Sequence, residues 1–185
     1  MRAVSAFHRW RLTAFSGGRH RIGRDFLCNG HLTLSGPGSI VVGDHVNAWA
    51  RAERNVLQTF SGGAVIEIGD NVRLNGAGVQ AASAVRVGRD CILGSCTLVD
   101  TDHHAVGVER RAPGAAPETA PITLEENVWV AGFATVLKGV RVGRDSVVGF
   151  GAVVSSDVPA GVVVAGNPAR VVRHLYAQEG DVPGR

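Results

Sequence analysis

Between Val130 and Val154 the apolar positions keep a step of six: Val130, Val136, Val142, Val148 and Val154. Four residues after each stands a small or branched residue, namely Ala134, Val140, Ser146, Ala152 and Val158. A helix would repeat its apolar positions at three and four, and a half-buried strand at two. A step of six fits a short strand followed by a corner, and three such units close an eighteen-residue triangular coil. Coils of this kind stack by parallel strand pairing, so that inward residues form ladders along the axis. The same frame runs from Ile68 through Leu74, and from Val87 through Leu93 to Val99.

A coarser repeat agrees. The fragments "IGRD", "VGDH", "IGDN", "VGRD", "LEEN" and "VGRD" begin at Ile22, Val42, Ile68, Val87, Leu124 and Val142, at spacings of 20, 26, 19, 37 and 18. Self-similarity at such a period marks a repeat architecture. The expected organisation is an all-β parallel helix of triangular coils over 22–173. A basic arm or cap (1–21) precedes it and a short tail (174–185) follows. The coil starting at Val87 should fill 87–104, and residues 105–123, "AVGVERRAPGAAPETAPIT", carry no period. A long aperiodic insertion in a regular scaffold is typically functional or disordered, and His103 and His104 stand where the chain leaves the shaft. Counted from Val99, His103 takes the inward fifth position, filled elsewhere by Cys91, Thr97 and Ala134. His104 takes the outward sixth.

Composition narrows the classes. The 185 residues are 45% apolar and 19% charged, with 25 glycines and only 5% aromatics, which suits many tight corners and a core of small side chains. A net charge of +3 is too small to argue for nucleic acid. The positive charge is nevertheless uneven. Arg2, Arg9, Arg11, Arg19, Arg21 and Arg24 precede the first acid, Asp25, and Phe7, Trp10, Leu12 and Phe15 lie among them. Such a start reads as a packed cap, a docking helix, a flexible arm or a weak membrane-surface contact. No stretch is apolar enough to span a bilayer, and no uninterrupted apolar run follows the early arginines as in a secretory signal. Cys28, Cys91 and Cys96 form no CxxC and leave an odd count, so a reducing cytoplasm is the expected location.

The blocks "VGRDSV-VGFGAV-VSSDVP" resemble the hexapeptide-repeat acyltransferases, whose repeat is an aliphatic residue, a small one, two variable ones, a small one and another variable one. The resemblance covers about 22–173 and implies a left-handed parallel β-helix, although parallel crossovers are normally right-handed. It is nearest the sugar O-acetyltransferase branch of maltose and galactoside acetyltransferase type. That branch carries one essential histidine just before such a loop, followed by a segment like "PITLEENVWVAG", and the flanking aliphatics align His104 with it. Glu118 roughly matches an acid that orients the histidine in relatives.

The run "DVPAGVVVAGNPARVVR" reads from the residues as Gly-rich corners, an Asn-Pro turn and two arginines three apart. Arg170 and Arg173 could meet on one side of a short helix and bind phosphate, or could be surface arginines. In the resembled family this tail lies beside coenzyme A. The resemblance also implies coenzyme contacts at Gly132, Phe150, Ser155 and Ser156. A small residue is usual at Phe150 and a Lys at Ser156, while Trp129 aligns with a packing tryptophan. Asn75 aligns with an acceptor-binding amide, though a turn asparagine would look the same. Asp100 and Asp102 could orient an acceptor or cap turns.

The implied reaction is direct transfer of an acetyl group from acetyl-CoA to a hydroxyl of a sugar or small molecule. His104, a neutral imidazole able to accept a proton, would be the base. Backbone N–H groups would hold the oxyanion, and no metal would be required. No Ser or Cys forms a relay with a histidine, and Cys96 is the one thiol to test. A flat-faced prism cannot enclose a ligand, so a neighbouring subunit must complete the site, and the resemblance implies a homotrimer with sites between subunits. The competing readings are a non-catalytic β-helical scaffold and a β-helical metal enzyme of carbonic anhydrase type.

Overall fold

The computed structural model describes residues 2–14 and 16–176, with the side chains of 2–4 left aside. Phe15, the side chain of Arg2 and the tail beyond Tyr176 lie outside the described residues. Helix α1 (Arg2–Thr13) is followed by twenty short strands that turn around a triangular prism.

Three parallel sheets form the faces. Face A stacks His20–Ile22, Ser39–Val42, Val65–Ile68, Ala84–Val87, Ile122–Leu124 and Arg141–Val142. Face B stacks Leu27–Cys28, Asn47–Ala48, Arg73–Leu74, Ile92–Leu93, Trp129–Val130, Val147–Val148 and Val162–Ala165. It is closed by the antiparallel strand Arg170–His174. Face C stacks Leu32–Ser35, Asn55–Thr59, Gly78–Ala81, Thr97–Val99, Thr135–Leu137 and Val153–Val154. The chain visits A, B and C in turn, coil after coil, in the left-handed parallel β-helix that the family resemblance implies.

Each coil buries its inward residues against those of the next. Val130, Val136, Val142, Val148 and Val154 are all buried, as are Ala134, Val140, Ser146, Ala152 and Val158. No side chain need be large, because the cross-section of a coil leaves room only for short ones. The glycine in five of the six fragments, all but "LEEN", has a packing cause. A Cβ on Gly88 would come within 2.6 Å of the Glu125 backbone, and one on Gly143 within 2.5 Å of the Ala160 nitrogen. The following residues Asp25, His45, Asn71, Asp90, Asn127 and Asp145 turn this corner with positive φ, a conformation that Asn and Asp tolerate better than most.

Buried polar groups staple the coils. Asn55 is fully buried. Its Oδ1 accepts the N–H groups of Gly76 and Ala77 at 2.8 and 2.9 Å, and its Nδ2 donates to the carbonyls of Ala48 and Leu74.

The register differs from the sequence reading at one place. Leu98, not Val99, pairs with the inward Val136, and Thr97 pairs with Thr135. Cys96 and Leu98 are buried, whereas Thr97 and Val99 are half-buried. The corner between Leu93 and Cys96 holds only Gly94 and Ser95, while the equivalent corner from Val130 to Ala134 holds Ala131, Gly132 and Phe133. A step of five therefore interrupts the steps of six. Four residues past Leu98 stands Asp102, so the inward position assigned to His103 belongs to Asp102.

Candidate active site

The period breaks at the corner from face C to face A in the fourth coil, between Val99 and Ile122. The strand after it starts at Ile122, so the insertion is shorter at its C-terminal end than 105–123. Its stem is rigid. Thr101 and Thr119 form an antiparallel bridge, the Asp102 N–H donates to the Glu118 carbonyl at 3.1 Å, and Ala120 donates to the Asp100 carbonyl. Its tip is exposed, with Val106 79% and Val108 94% accessible.

Asp100 is fully buried. One carboxylate oxygen accepts the Ala82 N–H at 2.6 Å and the other the Ser83 N–H at 2.8 Å. Both oxygens thus cap the short corner of the preceding coil, and no acceptor molecule can reach them. This corrects the substrate-binding role expected for Asp100, because burial and two backbone donors consume the group. Asp102 is half-buried, and its Oδ1 accepts from Lys138 Nζ at 2.9 Å. Its Oδ2 is buried without a partner in the single chain. Lys138, the chain's one lysine, also reaches Glu118 at 3.6 Å. The Asp102 hydrogen bond and the two nearby carboxylates hold its ammonium above the usual lysine range. Glu118 therefore ties down the loop exit and does not orient a histidine within one chain. Sequence reasoning passed over Lys138, whose signal was its being the sole lysine among arginines.

The two histidines differ. His103 sits in a positive-φ conformation (60°), its N–H bound to Thr101 Oγ1. Its ring Nε2 lies 2.9 Å from Gln80 Oε1, and its ring packs edge-on against Phe60 with centroids 5.1 Å apart. His104 is exposed, and among the described residues no side chain bonds its ring; only its backbone N–H is engaged, by the Asp102 carbonyl. With the corrected frame, inward and outward positions no longer separate the pair. What separates them is a held ring against a loose one. Gln80 and Phe60 carry no motif and were not legible before the coils were stacked.

The expected coenzyme residues occupy other corners. Gly132 lies at the corner from face B to face C, with Phe150 in the same corner one coil on. A Cβ on Gly132 would meet the Phe150 ring at 3.3 Å. Phe133, which the sequence reading missed, stacks edge-to-face on Phe150 at 5.2 Å, and the two are 62% and 73% exposed. Asn75 is exposed at the B-to-C corner two coils before Gly132, away from Asp102. Ser155 and Ser156 are exposed at the C-to-A corner of the last coil. Arg170 and Arg173 are exposed on the closing strand, opposite Ala165 and Val163, and not on a helix as expected; the antiparallel return fixes an extended backbone there. Trp129 is half-exposed on the outer side of face B.

Cys96 is buried, and its burial pushes the thiol up to about 12, which removes it as a nucleophile near neutral pH. Among the described residues, no group of three His, Cys, Asp or Glu side chains converges as a metal site would require. A cleft of about 780 Å³ lies beneath Arg9 and Trp10 at the N-terminal end, with Asp25 and His45 on its wall, and none of the expected site residues lines it.

Comparison with known proteins follows the repeat. Residues 121–156 match the bacterial transferase hexapeptide family, described as six repeats. A candidate acetyltransferase of Saccharomyces cerevisiae is 35% identical over 118 residues, 63% of this chain and 60% of that protein. A 2,3,4,5-tetrahydropyridine-2,6-dicarboxylate N-acetyltransferase of Staphylococcus aureus is 47% identical over 57 residues, 31% of this chain and 24% of the relative. The chain thus spans less than two thirds of either relative. A hexapeptide-repeat acetyltransferase of Vibrio cholerae, solved with acetyl coenzyme A, superposes with a TM-score of 0.58 at 23% identity. That match covers 95% of this chain and 87% of the other, a likeness of fold. By repeat, coil register and these matches, the chain has the fold of the hexapeptide-repeat acetyltransferases, and its residues 121–156 are similar to the bacterial transferase hexapeptide repeat.

Proposed function

We propose that the protein is an acetyl-CoA-dependent O-acetyltransferase acting on a hydroxyl of a sugar or small-molecule acceptor by direct transfer. The observation that carries this reading is the held imidazole of His103 at the foot of the loop, on the shaft of a fold that matches acetyltransferases. With Gln80 Oε1 accepting from Nε2–H, the other ring nitrogen keeps its lone pair for an acceptor proton. This is the arrangement of a base with an orienting partner. His104, favoured by the sequence resemblance, has no such partner within one chain. We therefore place the base on His103. The acceptor oxygen would attack the thioester carbonyl as its proton passes to the imidazole, and the coenzyme thiolate would leave. Held together in one groove, the two substrates escape much of the entropic barrier.

Coenzyme A is assigned to the Gly132–Phe150 corner, with Ser155, Ser156, Arg170 and Arg173 toward its phosphates. Support comes from the exposure of Phe150, Ser155, Ser156, Arg170 and Arg173 beside half-buried Gly132, and from the acetyl coenzyme A bound by the Vibrio cholerae protein. Asn75 and Asp102 are assigned to the acceptor side. The relative named as an N-acetyltransferase matches over only 57 residues, so an amine acceptor is the second outcome of an acceptor screen.

Base and coenzyme corners lie on opposite edges of face C, which argues for a groove completed by a second copy. Outward positions of face A carry Arg21, Glu67, Arg86 and Arg141, with an Arg86–Glu67 ion pair at 2.9 Å. Those of face C carry Val56, Gln58, Gln80, Thr97, Val99, Thr135, Leu137 and Val153, with no charge. Face C is the side we assign to the trimer contact. Titration calorimetry with acetyl-CoA on the purified chain tests the whole reading. Saturable binding near one site per chain supports it. Absence of binding to acetyl-CoA and to free coenzyme would mean that Phe150 over Gly132 closes the groove, and would favour a scaffold.

A further inference from the structure

Helix α1 packs on the prism with the wrong face for a soluble cap. Its inward positions are Ser5, His8 and Leu12, one helical face by spacing. Ser5 is buried and its Oγ accepts the Cys28 N–H at 3.2 Å. His8 lies against Gly30, where a Cβ would approach its ring within 2.9 Å, and Leu12 packs on the core. Phe7 points the other way, while Trp10 stands at the rim of the cleft that Arg9, Asp25, Phe26, Leu27 and His45 also line. Phe7 and Trp10 are 57% and 58% exposed, with ring centroids 6.2 Å apart, and exposed Ala14 continues their stripe. Arg9 and Arg11 flank them, also exposed. A cap that existed only to close the core would turn its aromatics inward, since each buries far more apolar area than serine or histidine.

The charge around this stripe decides what covers it. No acidic residue precedes Asp25, so α1 itself carries cations alone; the acid nearest its Arg9 and Trp10 is Asp25 across the cleft, which lies 3.5 Å from His45. Two copies joined through this face would bring arginines against arginines, a repulsive arrangement in a half-dry contact. An anionic, flat and partly apolar partner satisfies both features. Rings enter the boundary between headgroups and acyl chains while guanidinium groups meet phosphates. With twelve residues, α1 is too short to span the bilayer and lies along it.

We infer that α1 is an interfacial anchor that docks the protein on an anionic lipid surface through Phe7 and Trp10, with Arg9 and Arg11 supplying charge. Docked this way, the prism stands with its N-terminal end on the lipid. The last coils, with Gly132, Phe150 and the closing strand, lie toward the opposite end. The inference is independent of the acyl-transfer reading.

Flotation of the full chain with vesicles of phosphatidylcholine alone, and with phosphatidylserine added, tests it. Binding is expected to the mixed vesicles, weak to the neutral ones, and to fall as salt rises. The double variant Arg9→Gln/Arg11→Gln should weaken it roughly 30-fold, at about 1 kcal/mol per arginine near the surface. Phe7→Ala/Trp10→Ala should lower it by about tenfold or more while salt dependence persists. Far-ultraviolet dichroism of both variants should match the parent, and an unfolding midpoint taken without vesicles separates loss of the Phe7–Trp10 ring contact from loss of lipid binding. No binding to the mixed vesicles overturns the inference. So does binding that the aromatic variant retains in full. A larger sedimenting species in lipid-free solution that Phe7→Ala/Trp10→Ala dissolves would instead assign the stripe to a contact between copies.

Discussion

Two corners on the same edge of the prism differ in almost everything. Ala82–Ser83 turns the third coil from face C to face A in two residues, and its N–H groups are fully capped by Asp100. The next coil takes residues 100–121 to make the same turn. The short corner is held from the coil above it. The long one is held from both sides: Asp100 reaches down to the short corner, while Lys138 and the Gly139 N–H reach down from the next coil to Asp102, Glu118 and the Ala120 carbonyl. A scaffold of stacked coils can thus carry a large insertion at no cost to its register, provided the stem is tied to its neighbours. Reactive groups then gather at the stem, where side chains are held, and the tip stays free to meet a second molecule.

Substitutions can break this contrast. The largest effect is expected from His103→Ala, which should lower turnover by about 100-fold or more if the held ring is the base, against less than about tenfold for His104→Ala. Steady-state rates with an identified acceptor decide it. Full activity of His103→Ala alongside a dead His104→Ala would return the role to His104 and make the Gln80 contact structural. Asp100→Ala strands two backbone donors and should destabilise by about 2–5 kcal/mol, read from denaturant midpoints. If it costs nothing, the short corner is not held from above. Lys138→Met should scarcely move that midpoint, yet should speed proteolysis between Val106 and Glu118 by loosening the stem; an unchanged cleavage rate would show that the Thr101–Thr119 bridge suffices alone.

The smallest effect concerns pH. Burial first of all raises the thiols of Cys91 and Cys96 from 9.0 to about 11 and about 12. Between about 9 and these values the folded chain holds protons that the unfolded chain has released, so stability should fall as pH rises through that window. Below it the contribution is fully present. Cys91→Ala/Cys96→Ala should flatten the alkaline limb of a thermal unfolding series, and an unaltered limb would assign it to other groups.

Much of the shaft could be read from the chain. The six-residue step of Val130 to Val154, the glycines that let coils approach and the Asn/Asp corners all state local rules, and stacking repeats them without change. The reading slipped at Leu93, because a corner shortened by one residue leaves no trace in composition. That single residue moved the inward position from His103 to Asp102 and with it the case for His104. Asp100 looked like a ligand residue, since sequence cannot tell a carboxylate that caps a neighbouring corner from one that waits for substrate.

The sequence by itself determined the period, the interior and the place where the insertion leaves, because burial in a narrow prism depends only on which residues recur. The tertiary structure alone decided which histidine is held, that Lys138 locks the loop and that α1 leaves Phe7 and Trp10 exposed. Gln80 is 23 residues from His103, and Lys138 is 36 from Asp102. Such contacts exist only once coils are stacked, since each joins side chains that no local pattern relates.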